Sequence, residues 1–345
     1  MLENLIRQLT AGQPLTVADV QSAVIWLTAA DPSPELKADF LTALARKGET
    51  PEEIAAFAMA LREKSLAVPL PAPWRESREL LDIVGTGGDR LGTFNISTTT
   101  AILCAAAGAM VAKHGNRAVT SQSGSADVLE ALGIPINLDP AGAAAVLQAK
   151  GFCFLFAPNF HPAFQHIGPA RKICATRGQR TLFNILGPLL NPVRPSAMMV
   201  GVSRTEWCEP FAKVLQTLGV RRGMVVCGSV GEARIDELST LGDNQVAEFY
   251  HERGFTTSGL SLEPFPLQPV QINDLLGGDK YQNAEITRRI LSGADQGPKR
   301  DAVLLNASAA LFVAGRVKSL AEGWDLAGET IDSGRATAKL TELAS

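Results

Sequence analysis

The stretch "DIVGTGGDRLGTFNIST", from Asp82 to Thr98, begins as an apolar strand and becomes a glycine-rich loop. Three glycines and an acid follow the strand, and a row of small hydroxyl and amide side chains comes next. Glycines at a strand end let backbone N–H groups approach a ligand without interference from side chains. The pattern predicts a strand, a phosphate-binding loop and a helix in that order.

The segments beyond this loop repeat the alternation of short strands with helices. Apolar segments typical of buried strands are "LLDIV", "AMVAK", "FCFLFA", "AMMVGV" and "GMVVCG", and sequences typical of helices lie between them. Such alternation predicts a largely parallel sheet with flanking helices, and ligands bind beyond the carboxyl ends of its strands. From about Asn273 the pattern predicts helices again.

The N-terminal part is predicted to be a separate small helical domain. Thr50 and Glu53 around Pro51 form a typical helix start, and the apolar spacing suits helices with one buried face up to about Ser65. Prolines in "LAVPLPAPWRES" then predict an extended linker. We therefore expect a small helical domain over residues 1–67 and a large α/β domain over residues 75–345.

Composition limits the classes of partner and location. Hydrophobic residues make up 46% and charged residues 19% of the 345 residues, and the net charge is −3, which argues against nucleic acid or an anionic membrane as a partner. The five cysteines include no Cys-x-x-Cys pair and indicate reduced thiols. The opening "MLENLIRQLTAG" lacks the features expected of a signal peptide, and the longest apolar run falls short of the roughly 20 residues of a membrane span. We expect a cytoplasmic protein.

Two familiar phosphate-binding motifs do not match the glycine loop. Arg90 stands at the sixth position of a dinucleotide fingerprint that begins at Gly85, and the chain lacks the Gly-Lys-Ser or Gly-Lys-Thr of a P-loop. A simple tight turn is the alternative. Asp89 would repel phosphate unless a metal or a ribose hydroxyl lay between them.

A second anion-binding loop is predicted after the next strand, in "AKHGNRAVTSQSGSAD" from Ala112 to Asp127. Lys113, His114 and Arg117 surround a Gly-Asn turn, and serines follow. A solvated basic face, and plain helix capping by Asn95 or Ser97 in the first loop, are the alternatives. Because the two loops follow successive strands, a shared phosphate-binding crevice is the favoured interpretation.

The ordered motifs resemble the anthranilate phosphoribosyltransferase family, which joins anthranilate to phosphoribosyl pyrophosphate (PRPP) in tryptophan biosynthesis. The resemblance rests on "GTGGD", "TFNIST", "KHGNRA" and "SGSADVLEALG", and then on "FLFAPNFHPAFQHIGPARK", "RTLFNILGPLLNP", "IDELS", "LLGGDKYQNAEI" and "DAVLLNASAALFVAG". It covers almost the whole chain. It implies a transferase with the nucleoside phosphorylase and phosphoribosyltransferase-like fold, a homodimer, and two Mg²⁺ ions per subunit.

The resemblance also implies roles for individual residues. The residues expected to bind PRPP are Gly85, Gly88, Asp89, Thr93, Asn95, Ile96, Ser97, Thr98, Lys113, His114, Gly115, Asn116, Arg117, Ala118, Val119, Thr120, Ser121 and Ser125. Anthranilate is expected to contact Gly85, His114, Asn116 and Arg171, and the metal to contact Ser97, Asp236 and Glu237. No protein nucleophile is expected, since the amine attacks C1 of the ribose directly. His161 and His166 are expected to be structural, and helices from about 163 to 190 to join the small domain.

The chain departs from the family pattern at a few positions. "ICATRGQ", from Ile173 to Gln179, is longer than the usual connection, which loosens the placement of Arg171. Arg90, Gln122 and Arg234 replace residues that are common in the family. None of these changes removes a predicted phosphate or metal group.

Three alternative functions stay open at this point. A phosphoribosyltransferase for another aromatic amine would differ only in the acceptor pocket. A pyrimidine nucleoside phosphorylase shares the fold but has a different lysine and serine signature. A noncatalytic paralogue that binds nucleic acid is disfavoured by the acidic balance and the intact Asp236 and Glu237.

Overall fold

The computed structural model describes residues 2–118, 122–250 and 253–345. Four helices form the N-terminal bundle: α1 (Leu2–Thr10), α2 (Val17–Thr28), α3 (Pro34–Lys47) and α4 (Pro51–Arg62). The predicted start of α4 is confirmed, because the Thr50 side chain accepts from the backbone of Glu53 and the Glu53 carboxylate accepts in return from Thr50 N–H.

The linker after this bundle is not extended throughout, so that prediction is partly wrong. A short helix, α5 (Ala72–Glu76), interrupts it. Pro73 lies in the first turn of α5, where a residue without an N–H costs no helical hydrogen bond. The sequence argument accepted Pro51 at a helix start but treated the linker prolines only as helix breakers, although proline is tolerated in the first turn of a helix.

The second part is an α/β domain around one eight-stranded sheet. Its strands are β1 (Leu80–Gly85), β2 (Met110–Gly115), β3 (Phe152–Phe156), β4 (Ala197–Gly201), β5 (Arg222–Val230), β6 (Ala233–Ile235), β7 (Asn244–Tyr250) and β8 (Arg253–Leu260). The order is β3-β2-β1-β4-β5-β7-β8, with β6 also paired to β5. Strands β1 to β5 are parallel, as predicted, whereas β6, β7 and β8 pair antiparallel and were not predicted.

Helices flank the sheet and close the chain. They are α6 (Ile96–Ala106), α7 (Ser125–Ala131), α8 (Pro140–Lys150), α9 (Ala157–Phe160), α10 (Gly168–Thr176), α11 (Cys208–Thr217), α12 (Lys280–Leu291), α13 (Pro298–Val313), α14 (Leu320–Asp332) and α15 (Arg335–Ala344). Short 3-10 turns cover Pro162–His166, Leu182–Asn184, Gly187–Leu189, Thr205–Trp207 and Ile272–Leu275. The predicted C-terminal helices are confirmed. In the part of the chain that the model describes, every helix is too short or too polar to span a membrane.

The two faces of the sheet belong to two hydrophobic clusters. Alternate residues of β4 point to opposite faces: Met199 packs with α6 and α13, whereas Met198 packs with the helical bundle and α11. Ile167 and Cys174, next to and within α10, lie in the cluster of the bundle. The bundle therefore shares a core with one face of the sheet. The domain boundaries at 67 and 75, and the assignment of residues 163–190 to the small domain, stay predictions.

Candidate active site

Both predicted loops begin at the carboxyl ends of neighbouring parallel strands. Strand β1 ends at Gly85 and strand β2 at Gly115, and the two strands pair directly. Chains that leave adjacent parallel strands emerge at one edge of the sheet. The crevice expected between the two loops is therefore at this edge.

The glycine loop receives the side chain of Asp236. Gly87 N–H donates to Asp236 Oδ2 at 2.7 Å. A Cβ atom at Gly85 would lie 2.1 Å from the same oxygen, and a Cβ at Gly201 would lie 1.6 Å from the Asp236 carbonyl oxygen. Glycine is required at both strand ends because any side chain would displace Asp236. The sequence showed these glycines but not that Asp236 occupies the space they leave.

The three residues expected to hold the metal lie in one neighbourhood. Ser97 N–H donates to Glu237 Oε1 at 3.1 Å, and Glu237 follows Asp236 in the chain. Removal from bulk water raises the pKa of Asp236, and the nearby negative charge of Asp89 raises it further. Loss of hydration likewise raises the pKa of Glu237, with a second contribution from Asp236. The protein concentrates negative charge here at a free-energy cost that a bound cation would relieve.

Lys113 lies beneath these carboxylates. The residue is only 2% exposed. Its ammonium donates to the Ile83 carbonyl oxygen, and to Ser97 Oγ at 3.4 Å. Burial lowers the pKa of Lys113, whereas the charges of Asp82, Glu237 and Asp236 oppose that shift. This lysine partly balances the acidic pair, so its expected contact with PRPP stays a prediction.

Asp82 is a buried acid next to the site that the sequence argument did not single out. Its carboxylate is fully buried and accepts from Asn191 Nδ2 at 2.8 Å and from His114 N–H at 3.3 Å. Asn191 Nδ2 also donates to the Ala112 carbonyl oxygen at 2.8 Å. These bonds fix the end of β2 beside β1. The sequence did contain a signal, because "LLDIV" places an acid within an apolar strand. A buried carboxylate is rare unless other groups pair with it.

His114 presents one free ring nitrogen. Its Nδ1 lies 3.2 Å from the Gly187 carbonyl oxygen, which requires the proton to be on Nδ1. Burial lowers the pKa of His114 to about 3, so the ring is neutral near pH 7. Within the described residues, Nε2 is buried and has no hydrogen-bond partner. An unprotonated Nε2 can only accept a hydrogen bond, so this buried atom lacks the donor it needs.

A row of aromatic contacts links His114 to Arg171. The His114 and His161 ring centroids are 5.2 Å apart, and those of His161 and Phe164 are also 5.2 Å apart. Phe164 lies 5.7 Å from Phe183, and the Arg171 guanidinium lies 5.5 Å from the Phe183 centroid. Arg171 has no carboxylate partner among the residues described, so its cation is available. His161, expected to be only structural, lies directly against a predicted acceptor-binding residue.

Arg117 of the second loop is already paired with acids. It contacts Asp127 at 2.8 Å and Glu130 at 3.0 Å, and Lys280 contacts Glu130 at 3.3 Å. The Asp127 carboxylate also accepts from Ala118 N–H at 3.0 Å. These contacts attach Arg117 and Ala118 to α7. The sequence predicted the basic group but not its acidic partners.

Asn95 ties the two loops together. Its Nδ2 donates to the Ser123 carbonyl oxygen at 3.2 Å, and its Oδ1 accepts from Asn283 Nδ2 at 2.9 Å. Asn95 makes no side-chain cap of α6, so the alternative of plain capping by Asn95 is wrong. Ile96 and Thr98 are buried, so their predicted contact with PRPP stays a prediction.

Some of the remaining residues predicted to bind PRPP have described contacts, and others lie outside the described residues. Thr93 forms a backbone bridge with Leu276, and Ser125 Oγ donates to the Asn116 carbonyl oxygen at 3.2 Å. Val119, Thr120 and Ser121 lie outside the described residues.

Comparisons with known proteins identify the family. Residues 77–337 match the model of the glycosyl transferase family α/β domain, and residues 3–65 match its helical bundle domain. An anthranilate phosphoribosyltransferase of Lacticaseibacillus paracasei is 44% identical over 343 residues, which cover 99% of this chain and 96% of that protein. The chain belongs to the anthranilate phosphoribosyltransferase family.

Solved structures of this family share the fold. The enzyme of Thermus thermophilus has a TM-score of 0.88 and 41% identity, over 99% of this chain and 98% of that chain. The Saccharomyces cerevisiae enzyme in complex with PRPP and Mg has a TM-score of 0.86 and 30% identity, over 99% of this chain and 96% of that chain. The predicted fold class, a small helical domain with a larger α/β domain, is confirmed.

Proposed function

We propose that this protein transfers the phosphoribosyl group of PRPP to the amine of anthranilate, giving N-(5-phosphoribosyl)anthranilate and pyrophosphate. The observation that carries the proposal is the meeting of a glycine loop, a second polar loop and a concentrated acidic pair at one sheet edge. Membership of the family supplies the substrate class.

PRPP binds between the two loops in this proposal. Backbone N–H groups of the glycine loop and of the start of α6 face the phosphates, because helix N-termini and glycine turns favour anions. The side chain of Asn95 holds the loops at a fixed separation through Ser123 and Asn283. The other PRPP residues expected from the sequence keep their proposed roles.

The acidic pair fits a divalent cation. Asp236 and Glu237 carry raised pKa values for lack of hydration and because negative charges lie close by. Among the described residues, no group of three or more His, Cys, Asp or Glu side chains could hold a metal alone. Ser97 and substrate phosphates would complete the coordination, as is common for Mg²⁺. When bound, Mg²⁺ neutralises negative charge on the departing pyrophosphate.

The acceptor binds on the side of His114 and the aromatic row. The neutral Nε2 of His114 accepts a hydrogen bond from the amine of anthranilate, and Arg171 pairs with its carboxylate. The nitrogen attacks C1 as the bond from C1 to pyrophosphate breaks, and the product amine then loses one N–H proton to the released pyrophosphate or to water. Positioning and stabilisation of the leaving group account for the rate, without a protein nucleophile.

The test is a fluorescence assay of anthranilate consumption with PRPP and Mg²⁺. Loss of anthranilate that requires both PRPP and Mg²⁺ is expected. Turnover of a different aromatic amine alone would favour the paralogue specificity, and phosphorolysis of a pyrimidine nucleoside would favour a phosphorylase. No turnover of anthranilate by the folded protein would contradict the proposal.

Three further features of the family are part of the proposal. They are a homodimer, two Mg²⁺ ions per subunit and a cytoplasmic location. Light scattering coupled to size-exclusion chromatography measures the mass of the assembly against 36.6 kDa for one chain. Titration of the PRPP-bound protein with Mg²⁺ or Mn²⁺ gives the number of metal sites.

A further inference from the structure

The longer connection from Ile173 to Gln179 is an extension of helix α10 followed by a tight turn. Helix α10 continues to Thr176, and Gln179 N–H donates back to the Cys174 carbonyl oxygen at 2.9 Å. Arg177 pairs with Asp39 of α3 at 2.8 Å. The turn is thus fastened to the helical bundle at one end, and it leads directly to Arg180.

The Arg180 guanidinium lies against the glycine loop. A Cβ atom at Gly88 would lie 2.7 Å from Arg180 Nη2. Gly88 has φ of +89°, a conformation that residues with side chains rarely adopt, and this backbone conformation favours glycine here. The loop lies on β1 and the arginine follows α10, so this contact joins two distant parts of the chain.

Arg180 has no partner for its charge. In residues 2–118, 122–250 and 253–345, the Arg180 guanidinium makes no hydrogen bond or ion pair, and the residue is exposed. By contrast, Arg177 on the same turn pairs with Asp39. A planar guanidinium beside a loop of backbone N–H groups matches phosphate, which it binds through two parallel hydrogen bonds.

We propose that Arg180 binds a phosphate of PRPP at the glycine loop and is a second substrate-binding arginine beside Arg171. This inference rests on the proposed function and deepens it. The location assigns the two arginines to different substrates. Arg180 lies on Gly88 in the loop expected to hold PRPP, whereas Arg171 lies over Phe183 in the aromatic row.

The test is calorimetric titration of PRPP in the presence of Mg²⁺, with pyrophosphate as a second probe. Arg180→Ala is expected to raise the Kd for PRPP about tenfold or more, since a charged hydrogen-bond donor is lost. Arg180→Lys should recover only part of the affinity, because lysine cannot form the bidentate contact. The KM for anthranilate should change less than about twofold. Arg177→Ala, on the same turn, is the matched control and should bind PRPP as the unchanged protein does.

Two results would overturn the assignment. One is an unchanged Kd for PRPP in Arg180→Ala, with or without a raised KM for anthranilate. The other is an equal loss of affinity in Arg177→Ala, which would show that only the shape of the turn matters. Thermal melting checks that each variant is folded, and Arg180→Lys keeps the test valid if the alanine variant is not. Because binding is measured without the acceptor, failure to turn over anthranilate would refute the proposed function separately.

Discussion

The two sides of the crevice differ sharply in charge. The side of the glycine loop gathers Asp236, Glu237 and Asp89, and the buried Lys113 lies near the first two. The side of the aromatic row consists of rings and neutral histidines, with Arg171 at its far end. One side is built to hold a polyanion through a cation, and the other to hold a flat, nearly apolar ring.

This difference explains how a reaction without a protein nucleophile can be controlled. Negative charge grows on the leaving pyrophosphate, so stabilising groups are needed on the charged side. The attacking amine must keep its lone pair, so the opposite side must not supply a proton to it. A histidine whose pKa is lowered to about 3 by burial meets that condition at neutral pH.

The largest effect is expected when the acidic pair on the charged side is removed. Changing Asp236 and Glu237 together to Ala should abolish Mg²⁺-dependent turnover, by about a thousandfold or more in kcat, because both carboxylates of the proposed metal site are lost. Steady-state kinetics across Mg²⁺ concentrations measures this. Glu232→Ala, in the exposed turn before β6, is the control and should be nearly silent. Full activity in the double variant would refute the metal assignment.

A smaller loss is expected from Gly85→Ala. The new methyl group would lie 2.1 Å from Asp236 Oδ2 unless that side chain moves. We expect kcat/KM to fall about a hundredfold, since misplacement of about 1 Å has that cost. Gly254→Ala, where no atom lies within 4 Å of the added group, is the matched control. Normal kinetics in Gly85→Ala would show that the position of the Asp236 carboxylate against the glycine loop does not matter for catalysis.

On the side of the aromatic row, Arg171→Ala tests whether this arginine binds the acceptor and not PRPP. The KM for anthranilate should rise about tenfold while the KM for PRPP stays within about twofold, because only the acceptor loses its counterion. Lys172→Ala tests whether any cation lost from this helix has the same effect. Equal changes in both KM values for Arg171→Ala would remove its assigned role.

The smallest expected effect is a change in the free energy of unfolding with pH. Burial lowers the pKa of His161 to about 4, below the value of about 6.5 in the unfolded chain. The unfolded state therefore binds more protons between about pH 6.5 and pH 4, and stability falls as pH falls through this window. The loss from His161 should reach about 2 kcal/mol between pH 7 and pH 5.

Denaturant unfolding at several pH values measures this slope. His161→Gln cannot take up a proton and should show a shallower loss of stability on acidification. The partly exposed His166, in the 3-10 turn that follows, provides the control variant His166→Gln. The same slope in the original protein and in His161→Gln would show that the buried ring does not titrate in this range.

The local parts of the fold and site could be predicted from sequence. The order of an apolar strand, glycines and a hydroxyl-rich helix start is contained in one short stretch, so β1, its loop and α6 were evident. The same holds for β2 and its basic loop. The antiparallel strand β7 was missed because its "NQVAEFY" mixes polar and apolar residues without the glycine-rich ending of the parallel strands.

Long-range partners were beyond a single sequence. Asp82 bonds to Asn191, Asn95 bonds to Asn283, and the Arg180 guanidinium lies beside Gly88; each contact joins segments far apart in the chain. Polar side chains at such positions show only that a partner is needed. Which residue supplies it depends on how the sheet and its helices pack.

The most direct measurement of the central claim is a crystal structure with PRPP and Mg²⁺ bound. PRPP is expected between the glycine loop and the Lys113 loop, with the cation at Asp236 and Glu237 and a phosphate within reach of the Gly85–Asp89 backbone. A diphosphorylated sugar bound elsewhere, with this crevice empty at saturating PRPP, would contradict the account.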